Sequence, residues 1–483
     1  MGPLVMAIDV GSSSIRAGLF DRAARPRRGS FAQVAYPLTV DAEGGVSVEP
    51  DLLVEVLAAT LDRLVTRAGT ALSGVAGVGI SCFLHSVAGL DGAGRPITPL
   101  LTWADTTSAR QATDLRTRLD EPSLWQETGC PLHASYWPAK ILRLRASSGG
   151  RARAFAGAPE LLLEKLTGRR ATDLSHASGT GLLDRRTGTW HTGVLQELEV
   201  DASALPEIAP AGTAGRLDGW AADRWPALRG VPWFVAWSDA LCGNSGLGST
   251  AGRGAALQVG TSGAMRVIVA DPIPRIPAGL FGHRLADGSA LVGGQLSEGG
   301  AVAAAIASLV ASTPRALEAA ARGLAPDGHG LTVLPYLAGE RGPGYDAEAR
   351  GVVAGLGLRT SPAELYLAVL ESIALRFAAL DARLQDVIGE PPEVVASGGA
   401  LARSELWVEI IAAALGRTIG ASSEGEASIR GAALHALTAI GVIGSPAEVP
   451  PPPARPVVPD PERVARYREA RDRQEDLYTR MRA

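Results

Sequence analysis

The sequence predicts an α/β protein made of two structurally related domains that face a common cleft. A chain of 483 residues exceeds the size at which one hydrophobic core usually keeps growing. Strand-like apolar runs alternate with helix-like amphipathic segments along the chain. A hairpin rich in glycine and hydroxyl residues near the amino terminus recurs about 250 residues later. We therefore expect one domain over residues 1–252 and a second over residues 253–483, the latter ending in a proline-rich segment (446–461) and a charged external helix (462–482).

Composition narrows the range of partners. Charged residues make up 20% of the chain and the formal net charge is −4, which gives no reason to expect nucleic acid or an anionic membrane as partner. The three cysteines are widely spaced and contain no Cys-x-x-Cys, which argues against a disulfide framework and a structural zinc site. We expect a cytoplasmic enzyme that acts on small molecules. The oligomeric state stays open, with a homodimer as one option.

The first hairpin, at residues 4–21, joins two apolar runs through a small polar turn. Gly11, Ser12 and Ser13 in this turn expose backbone N–H groups and hydroxyls that suit a phosphate. Asp9 would lie beside that phosphate, where a bridging cation makes the two negative groups compatible. A plain hairpin without a ligand explains this segment equally well.

The second hairpin, at residues 257–271, repeats the order of strand, turn, arginine and strand, with Arg16 as the arginine of the first copy. Its turn consists of Gly260, Thr261 and Ser262. The neutral Gln258 takes the place of Asp9. A metal-associated carboxylate is therefore expected only in the first half, while both turns are expected to contact phosphate.

A strand-to-helix junction precedes the second hairpin. Residues 231–237 are apolar and aromatic, and residues 240–248 carry small side chains at helical spacing, so Asp239 falls between a strand and a helix. Such a position suits a catalytic acid or base. Locally, capping of the helix by Ser238 or Asp239 explains the junction more simply. The location of Asp239 at the seam between the repeated halves favours the catalytic role.

Three residues of the first half are candidates for contacting a polyol. Trp103 and Asp105 follow a short strand, and a tryptophan ring with a nearby carboxylate suits sugar C–H faces and hydroxyls. His85 interrupts an otherwise apolar stretch. The alternatives are a helix cap for Asp105 and a satisfied core position for His85.

A strand, a Gly-Gly turn and a helix follow one another over residues 394–407. The turn residues Gly398, Gly399 and Ala400 would let a nucleotide approach the backbone. The segment is neither a Walker loop nor a complete G-x-G-x-x-G, so it is weak evidence by itself.

The order of these motifs is similar to that of the FGGY carbohydrate kinase family, within the actin-like, ribonuclease-H-like ATPase superfamily, and the resemblance covers nearly the whole chain. It implies two ribonuclease-H-like domains around a central cleft, with MgATP held mainly by the second and a sugar mainly by the first. Asp239 corresponds to the catalytic base, and Asp9 and Asp239 to the magnesium ligands. The implied ATP-binding residues are Gly11, Ser12, Ser13, Arg16, Gly260, Thr261, Ser262, Gly398, Gly399 and Ala400. The implied sugar-binding residues are His85, Trp103, Asp105 and Asp239.

Within the family, several segments look most like those of gluconate kinases. They are His85-Ser-Val, Trp103-Ala-Asp105, residues 128–133, Gly260–Arg266 and Tyr336–Arg341. The resemblance implies phosphorylation of D-gluconate to 6-phosphogluconate. Two positions depart from the relatives: Thr107 replaces an arginine and Glu298 replaces a frequent asparagine. A neutral ketopentose such as xylulose is therefore an alternative substrate.

Two other classes of protein remain as hypotheses. One is a non-catalytic sugar or nucleotide sensor, which the retained Asp9 and Asp239 disfavour. The other is an actin-like assembly or chaperone ATPase, which the cluster of His85, Trp103 and Asp105 disfavours. Sugar-dependent ATP consumption would distinguish the kinase from both.

Overall fold

Two seven-stranded β-sheets, one in each half of the chain, form the framework of the computed structural model, which describes residues 2–389 and 393–482. Within these residues the strands are β1 (Leu4–Val10), β2 (Ser14–Phe20), β3 (Pro26–Ala35), β4 (Thr39–Val40), β5 (Val46–Val48), β6 (Val75–Cys82), β7 (Ala88–Leu90), β8 (Leu100–Leu101), β9 (Ala154–Ala156), β10 (Ala171–Thr172), β11 (Leu183–Asp184), β12 (Thr189–Trp190), β13 (Glu207–Ile208), β14 (Ala214–Gly215), β15 (Trp233–Phe234), β16 (Trp237–Ser238), β17 (Ala255–Val259), β18 (Gly263–Val269), β19 (Phe281–Arg284), β20 (Ala290–Leu296), β21 (Thr332–Leu334), β22 (Val352–Ala354), β23 (Val394–Ser397), β24 (Ile419–Ser422) and β25 (Ala454–Val457).

The α-helices of the described residues are α1 (Pro50–Ala68), α2 (Ala109–Arg118), α3 (Glu121–Thr128), α4 (Trp137–Ser147), α5 (Ala158–Thr167), α6 (Leu174–Ser178), α7 (Thr192–Glu197), α8 (Gly219–Arg224), α9 (Asp239–Gly246), α10 (Gly300–Leu309), α11 (Pro314–Ala321), α12 (Pro362–Ile388), α13 (Glu405–Leu415), α14 (Ala427–Ala439) and α15 (Pro461–Arg482). None of them alone is long and apolar enough to cross a membrane; α10 and α11 meet that requirement only together, across a 90° bend.

The two large sheets share one topology. In the first sheet the order is β3, β2, β1, β6 and β15, and in the second it is β20, β18, β17, β23 and β24. In both, each of the first three strands is antiparallel to its neighbour among them, and the last three are parallel. The predicted hairpins are β1–β2 and β17–β18, at the centre of each sheet. The sequence repeat therefore corresponds to a structural repeat.

Sequence patterning accounts for these central elements. Every residue of β1 is buried, as expected for a strand that has neighbours on both sides and layers on both faces. The amphipathic pattern predicts a helix over residues 362–388, and α12 has these bounds. Its first turn is fixed by a reciprocal cap, in which Glu364 N donates to Ser361 Oγ at 3.2 Å and Ser361 N donates to Glu364 Oε2 at 2.7 Å.

Helices α9 and α14 pack closely at the seam between the two halves. A Cβ atom at Gly246 would lie 1.9 Å from the carbonyl oxygen of Ala427, and one at Gly431 would lie 1.9 Å from that of Cys242. On the strand side, a Cβ at Gly79 would lie 2.3 Å from Ala432 O. Glycine is therefore required at these three positions by the approach of two backbones.

The carboxyl-terminal region differs from the expectation. The proline-rich segment was expected to end the compact part, but β25 within it pairs with β24 and completes the second sheet. Pro456 lies on this edge strand, where a missing N–H removes no ladder bond to a further strand. Helix α15 buries Tyr467 and Gln474 and is thus part of the second half rather than an external addition.

Candidate active site

Asp239 is the first residue of α9, and Ser238 before it is the cap. The Ser238 hydroxyl accepts a hydrogen bond from Leu241 N at 3.2 Å. The predicted cap is therefore Ser238, which leaves the Asp239 carboxylate available for other contacts, and the catalytic role of Asp239 stays a prediction. Asp239 itself is half-buried.

The surroundings of Asp239 tune its proton affinity. Removal from water raises the pKa of Asp239 to about 6; the positive charges of Arg266 and Arg341 oppose this shift, and the negative charge of Asp9 adds to it. These interactions place Asp239 within electrostatic reach of residues from both halves. A carboxylate with such a pKa is mostly ionised at neutral pH and still has appreciable affinity for a proton.

Asp9 lies on β1, directly beside the turn of the first hairpin. Its Oδ1 accepts a hydrogen bond from Ser81 Oγ at 2.9 Å, and its Oδ2 is 3.4 Å from Arg16 Nη1. Burial raises the pKa of Asp9, while Arg16 and Ser81 counteract that shift. Two carboxylates in one cleft are oxygen ligands of the kind that Mg²⁺ prefers, so the chemistry of Asp9 and Asp239 fits this ion.

Two carbonyl groups in the turn of the first hairpin accept hydrogen bonds from other parts of the chain. Gly11 O accepts from Tyr36 Oη at 2.5 Å, and Ser13 O accepts from Tyr36 N at 3.0 Å. Gly11 N closes the turn by donating to Ser14 O at 3.0 Å. Ser12 is half-buried and Ser13 is exposed. With the carbonyls engaged, the N–H groups and hydroxyls of Ser12 and Ser13 are the groups left to meet an anion.

The turn of the second hairpin also has engaged carbonyl groups. Gly260 O accepts from Gly300 N at 2.8 Å, and Thr261 O accepts from Ala301 N at 3.1 Å, both at the start of α10. Gly260 N closes this turn by donating to Ser262 O at 2.9 Å. A Cβ at Gly260 would meet no atom within 4 Å, so the space beside it is open. The two predicted phosphate turns share engaged carbonyl groups but differ in length, because the first is closed between Gly11 N and Ser14 O and the second between Gly260 N and Ser262 O.

The arginines of the two hairpins have equivalent partners. Arg16 lies 3.4 Å from Asp9 and 3.2 Å from Glu426, and Arg266 Nη1 donates to Gln258 Oε1 at 2.8 Å. The Asp9-to-Gln258 exchange thus keeps a partner for arginine and removes one negative charge from the second half. In this structure Arg16 pairs with carboxylates, so any contact with ATP phosphate would compete with those pairs.

The predicted nucleotide turn lies beside the second phosphate turn. Ser397 at the end of β23 is in register with Gln258 on β17, and Ala400 N donates to Val259 O at 3.1 Å. Gly398 has a φ of +112°, and a Cβ there would lie 2.4 Å from Val259 O. Gly399 is exposed. The two glycine-containing turns therefore form one continuous rim of the second sheet.

His85 is buried within a network that joins both halves. Its Nδ1 donates to Gly179 O at 2.8 Å, and its Nε2 lies 3.4 Å from Gln295 Nε2 on β20. Burial holds the pKa of His85 well below its ordinary value, so the ring is neutral. Gln295 Nε2 also donates to Tyr136 Oη at 3.2 Å.

Trp103 and Asp105 lie on one loop but have different surroundings. The half-buried Trp103 ring lies 4.9 Å from the Arg341 guanidinium. The Asp105 carboxylate is buried and accepts from Val46 N at 3.2 Å and from Thr107 Oγ1 at 2.8 Å. These partners make Asp105 a residue that orders the loop rather than the helix cap that was the alternative, since the cap position of α2 is Ser108. We expect Trp103 rather than Asp105 to face a sugar.

Lys140, on α4, is not among the site residues predicted from the sequence. It is fully buried, and its Nζ donates to His85 O and to Thr102 O, each at 2.7 Å. Burial lowers the pKa of Lys140 to about 7. Lys140 therefore fastens the segments that carry His85 and Trp103 to each other.

Glu298, one of the two departures from the family pattern, is enclosed next to the second phosphate turn. A Cβ at the adjoining Gly299 would lie 2.7 Å from the Ser262 backbone. Both oxygens of Glu298 are buried without a hydrogen-bond partner. Burial raises the pKa of Glu298 to about 8, so the group is protonated at neutral pH.

A cluster of possible metal ligands lies away from the cleft. Ligand atoms of Asp327, His329 and Glu371 fall within 4.8 Å of one another. They already have protein partners: Glu371 accepts from His329 Nε2 and from Tyr467 Oη, each at 2.8 Å, and Asp327 pairs with Arg473. These contacts define an internal polar network between α12 and α15.

The repeated sheets, the seam helices and the cleft between the halves define a protein of the actin-like ATPase fold with two ribonuclease-H-like domains. The chain matches the model of the FGGY family of carbohydrate kinases, N-terminal domain, over residues 4–246, and that of the C-terminal domain over residues 255–440. The chain belongs to the FGGY family of carbohydrate kinases, whose members use ATP.

Individual relatives have different sugar substrates in their names. The chain is 25% identical over 467 residues to gluconokinase of Bacillus subtilis (strain 168), covering 92% of this chain and 89% of that protein. Gluconate kinase from Lactobacillus acidophilus has a TM-score of 0.91 at 25% identity and covers 100% and 98% of the two chains. Xylulose kinase from the same organism has a TM-score of 0.90 at 25% identity and covers 100% and 99%.

Proposed function

We propose that this carbohydrate kinase transfers the γ-phosphate of ATP to a hydroxyl of a sugar acid, with D-gluconate as substrate and 6-phosphogluconate as product. The observation that carries the proposal is the environment of Asp239. Its carboxylate is not used as a helix cap, and it interacts electrostatically with Asp9 of the first half and with Arg266 and Arg341 of the second.

In this mechanism Asp239 accepts the proton of the attacking hydroxyl. Phosphoryl transfer depends mainly on positioning and charge stabilisation, so a base within reach of the hydroxyl suffices. The N–H groups of the two hairpin turns stabilise the phosphate oxygens. Asp9 and Asp239 are the proposed magnesium ligands, and the bound ion supplies further neutralisation of phosphate charge.

Sugar recognition is assigned to the first half. Trp103 offers an aromatic face to the sugar C–H groups, and the His85 network contributes polar groups beside it. Similarity to gluconokinase supports gluconate among the sugars of the family. The arginine-to-Thr107 exchange on the Trp103 loop and the similarity to xylulose kinase favour xylulose as the second candidate.

The test is a coupled ADP-release assay with D-gluconate, D-xylulose, D-ribulose and glycerol at equal concentrations. The proposal expects D-gluconate to give the highest kcat/KM. A preference for D-xylulose would contradict D-gluconate as the substrate but would still agree with a sugar kinase. ADP release that does not depend on any sugar would contradict the proposed function.

A further inference from the structure

We propose that Arg341 selects a sugar that carries a carboxylate over a neutral sugar, by pairing with that carboxylate inside the cleft. The inference rests on the proposed function and deepens it, because it names the residue that recognises the acidic group. It also explains how a chain that lacks the usual arginine on the Trp103 loop still recognises an acid.

Arg341 belongs to the second half, and its positive charge lies beside the loop of the first half that carries Trp103 and Asp105. It follows β21 in the chain, yet its guanidinium lies 4.9 Å from the centre of the Trp103 ring. Its Nη2 donates to Oε1 of Gln295, and Nε2 of Gln295 in turn donates to Tyr136 Oη and lies 3.4 Å from His85 Nε2. The Arg341 head group therefore lies among the residues assigned to the sugar.

No carboxylate of the described residues lies within salt-bridge distance of the Arg341 guanidinium, and the charges of Asp239 and Glu298 act on it only from further away. The Arg341 side chain is 7% exposed, and no salt bridge to it occurs among residues 2–389 and 393–482. The hydrogen bond to Gln295 uses only one of the several N–H donors of a guanidinium. A buried cation is stable when it is paired, so the cleft is prepared for an anion.

Arg376 is a buried arginine that has carboxylate partners, Glu340 and Glu475, although its Nε has no hydrogen-bond partner. Its Nη2 donates to Glu340 Oε1 at 2.6 Å. Glu340 also accepts from Tyr478 Oη at 2.5 Å and from Gly344 N at 3.0 Å. Because Glu340 precedes Arg341 directly, these bonds fix the loop that presents Arg341, and a fixed guanidinium binds a carboxylate with less loss of conformational entropy.

The other carboxylate and cationic groups of the region do not fill this role. Asp239 acts electrostatically on Arg341 but makes no salt bridge with it, and it is the proposed base for the attacking hydroxyl. Glu298 also acts on Arg341, but burial raises the pKa of Glu298 to about 8 and keeps it neutral. Lys140 is engaged with two carbonyl groups. Thr107, at the position of the missing arginine, donates to Asp105. Arg341 thus supplies from the second half the charge that this loop lacks.

The experiment measures the dissociation constants of D-gluconate and D-glucitol, which differ in a carboxylate against a CH₂OH group, together with sugar-dependent ADP release. The proteins are the wild type, Arg341→Gln, Arg341→Lys and the control Arg383→Gln. Arg383 lies on α12, bonds Ala278 O and Ala379 O, and makes no contact with the sugar residues named above.

The expected result is that wild type prefers D-gluconate and that Arg341→Gln weakens D-gluconate binding by roughly 30-fold or more, with less than about threefold change for D-glucitol. Arg341→Lys should recover part of the preference, and Arg383→Gln should keep all of it. Unchanged preference in a folded Arg341→Gln variant, or a wild type that prefers D-glucitol, would overturn the inference while leaving a sugar kinase in place. Absence of binding and of ADP release with every sugar would instead overturn the proposed function.

Discussion

Asp239 and Asp9 are electrostatically coupled within the cleft. Removal from water raises the pKa of Asp239 to about 6, Arg266 works against this shift, and the negative charge of Asp9 reinforces it. Asp9 belongs to the first hairpin and Asp239 begins the helix at the seam, so two separate elements of the chain bring these carboxylates together. Their proximity underlies the account of both proton transfer and metal binding.

The pKa of Asp239 predicts how activity depends on pH. The carboxylate form is the base, so its protonation should lower kcat/KM as the pH decreases. The pKa of about 6 belongs to Asp239 without magnesium. A bound cation lowers the pKa of a carboxylate, so the fall should be centred at or below about pH 6. A pH profile of sugar-dependent ADP release at saturating magnesium and ATP checks this. Constant kcat/KM between about pH 7 and about pH 4 would contradict the assignment.

Glu298→Gln should change how stability depends on pH. The pKa of Glu298 is raised from 4.5 to about 8 in the folded chain, so the folded state keeps a proton that the unfolded state has released. Wild-type stability should therefore fall as pH rises from about 4.5 toward about 8, and the amide should remove that fall.

Thermal unfolding at about pH 5 and about pH 9 provides the measurement for Glu298. The melting temperature of Glu298→Gln relative to wild type should be higher at the alkaline pH than at the acid pH. The exposed Glu348 offers a matched control. The melting temperature of Glu348→Gln should equal that of wild type at both pH values. An identical effect of Glu298→Gln at both pH values would argue against a proton held by Glu298.

Lys140→Met should weaken sugar binding more than ATP binding. The variant leaves the carbonyl oxygens of His85 and Thr102 without their donor, so the segments that hold His85 and Trp103 lose a common anchor. Loss of charged hydrogen bonds of this kind destabilises the fold by about 3 kcal/mol. Lys165, the only other lysine, is half-exposed, and Lys165→Met is the control.

Steady-state kinetics distinguish the two consequences of Lys140→Met. The KM for the sugar should rise while the KM for ATP stays near that of wild type. Equal increases in both constants would indicate a general loss of structure rather than an effect on the sugar segments.

Gly246→Ala tests the close packing of α9 against α14. The added Cβ would lie 1.9 Å from Ala427 O, which forces the helices apart. Overpacking of this kind destabilises by about 1–3 kcal/mol, or more where backbone must move. Gly230→Ala, where a Cβ meets no atom within 4 Å, should leave the unfolding midpoint in denaturant nearly unchanged. Equal midpoints for the two variants would refute the contact.

Much of the fold was accessible from the sequence because its signals are local or repeated. The two hairpins share a pattern, and α12 carries its own periodicity and cap, so both appear as predicted. The proline-rich segment was misjudged because proline suggests the end of regular structure. On an edge strand such as β25, however, proline interrupts no further hydrogen-bond ladder.

The site was only partly accessible because its remaining contacts join distant parts of the chain. The position of Asp239 between the halves predicts it as the base, and this stays a prediction, whereas Ser238 as the cap emerges only from the hydrogen bond to Leu241. The burial and the hydrogen bonds of Lys140 could not be predicted from neighbouring residues, since its partners His85 and Thr102 lie far away in sequence. The rarity of lysine was a usable signal that Lys140 has a specific role, because the chain contains only two lysines and otherwise uses arginine as its basic residue.

Asp239→Asn tests the central claim most directly. The amide keeps the shape of the side chain, and Ser238 still caps α9, so the fold should be preserved. The variant cannot accept the hydroxyl proton, and its kcat for sugar-dependent ADP release should fall about 100- to 10,000-fold. The measurement is kcat with D-gluconate alongside ATP affinity for both proteins. A loss of that size with nearly unchanged ATP affinity is the predicted result, and a kcat within about twofold of wild type would contradict Asp239 as the base.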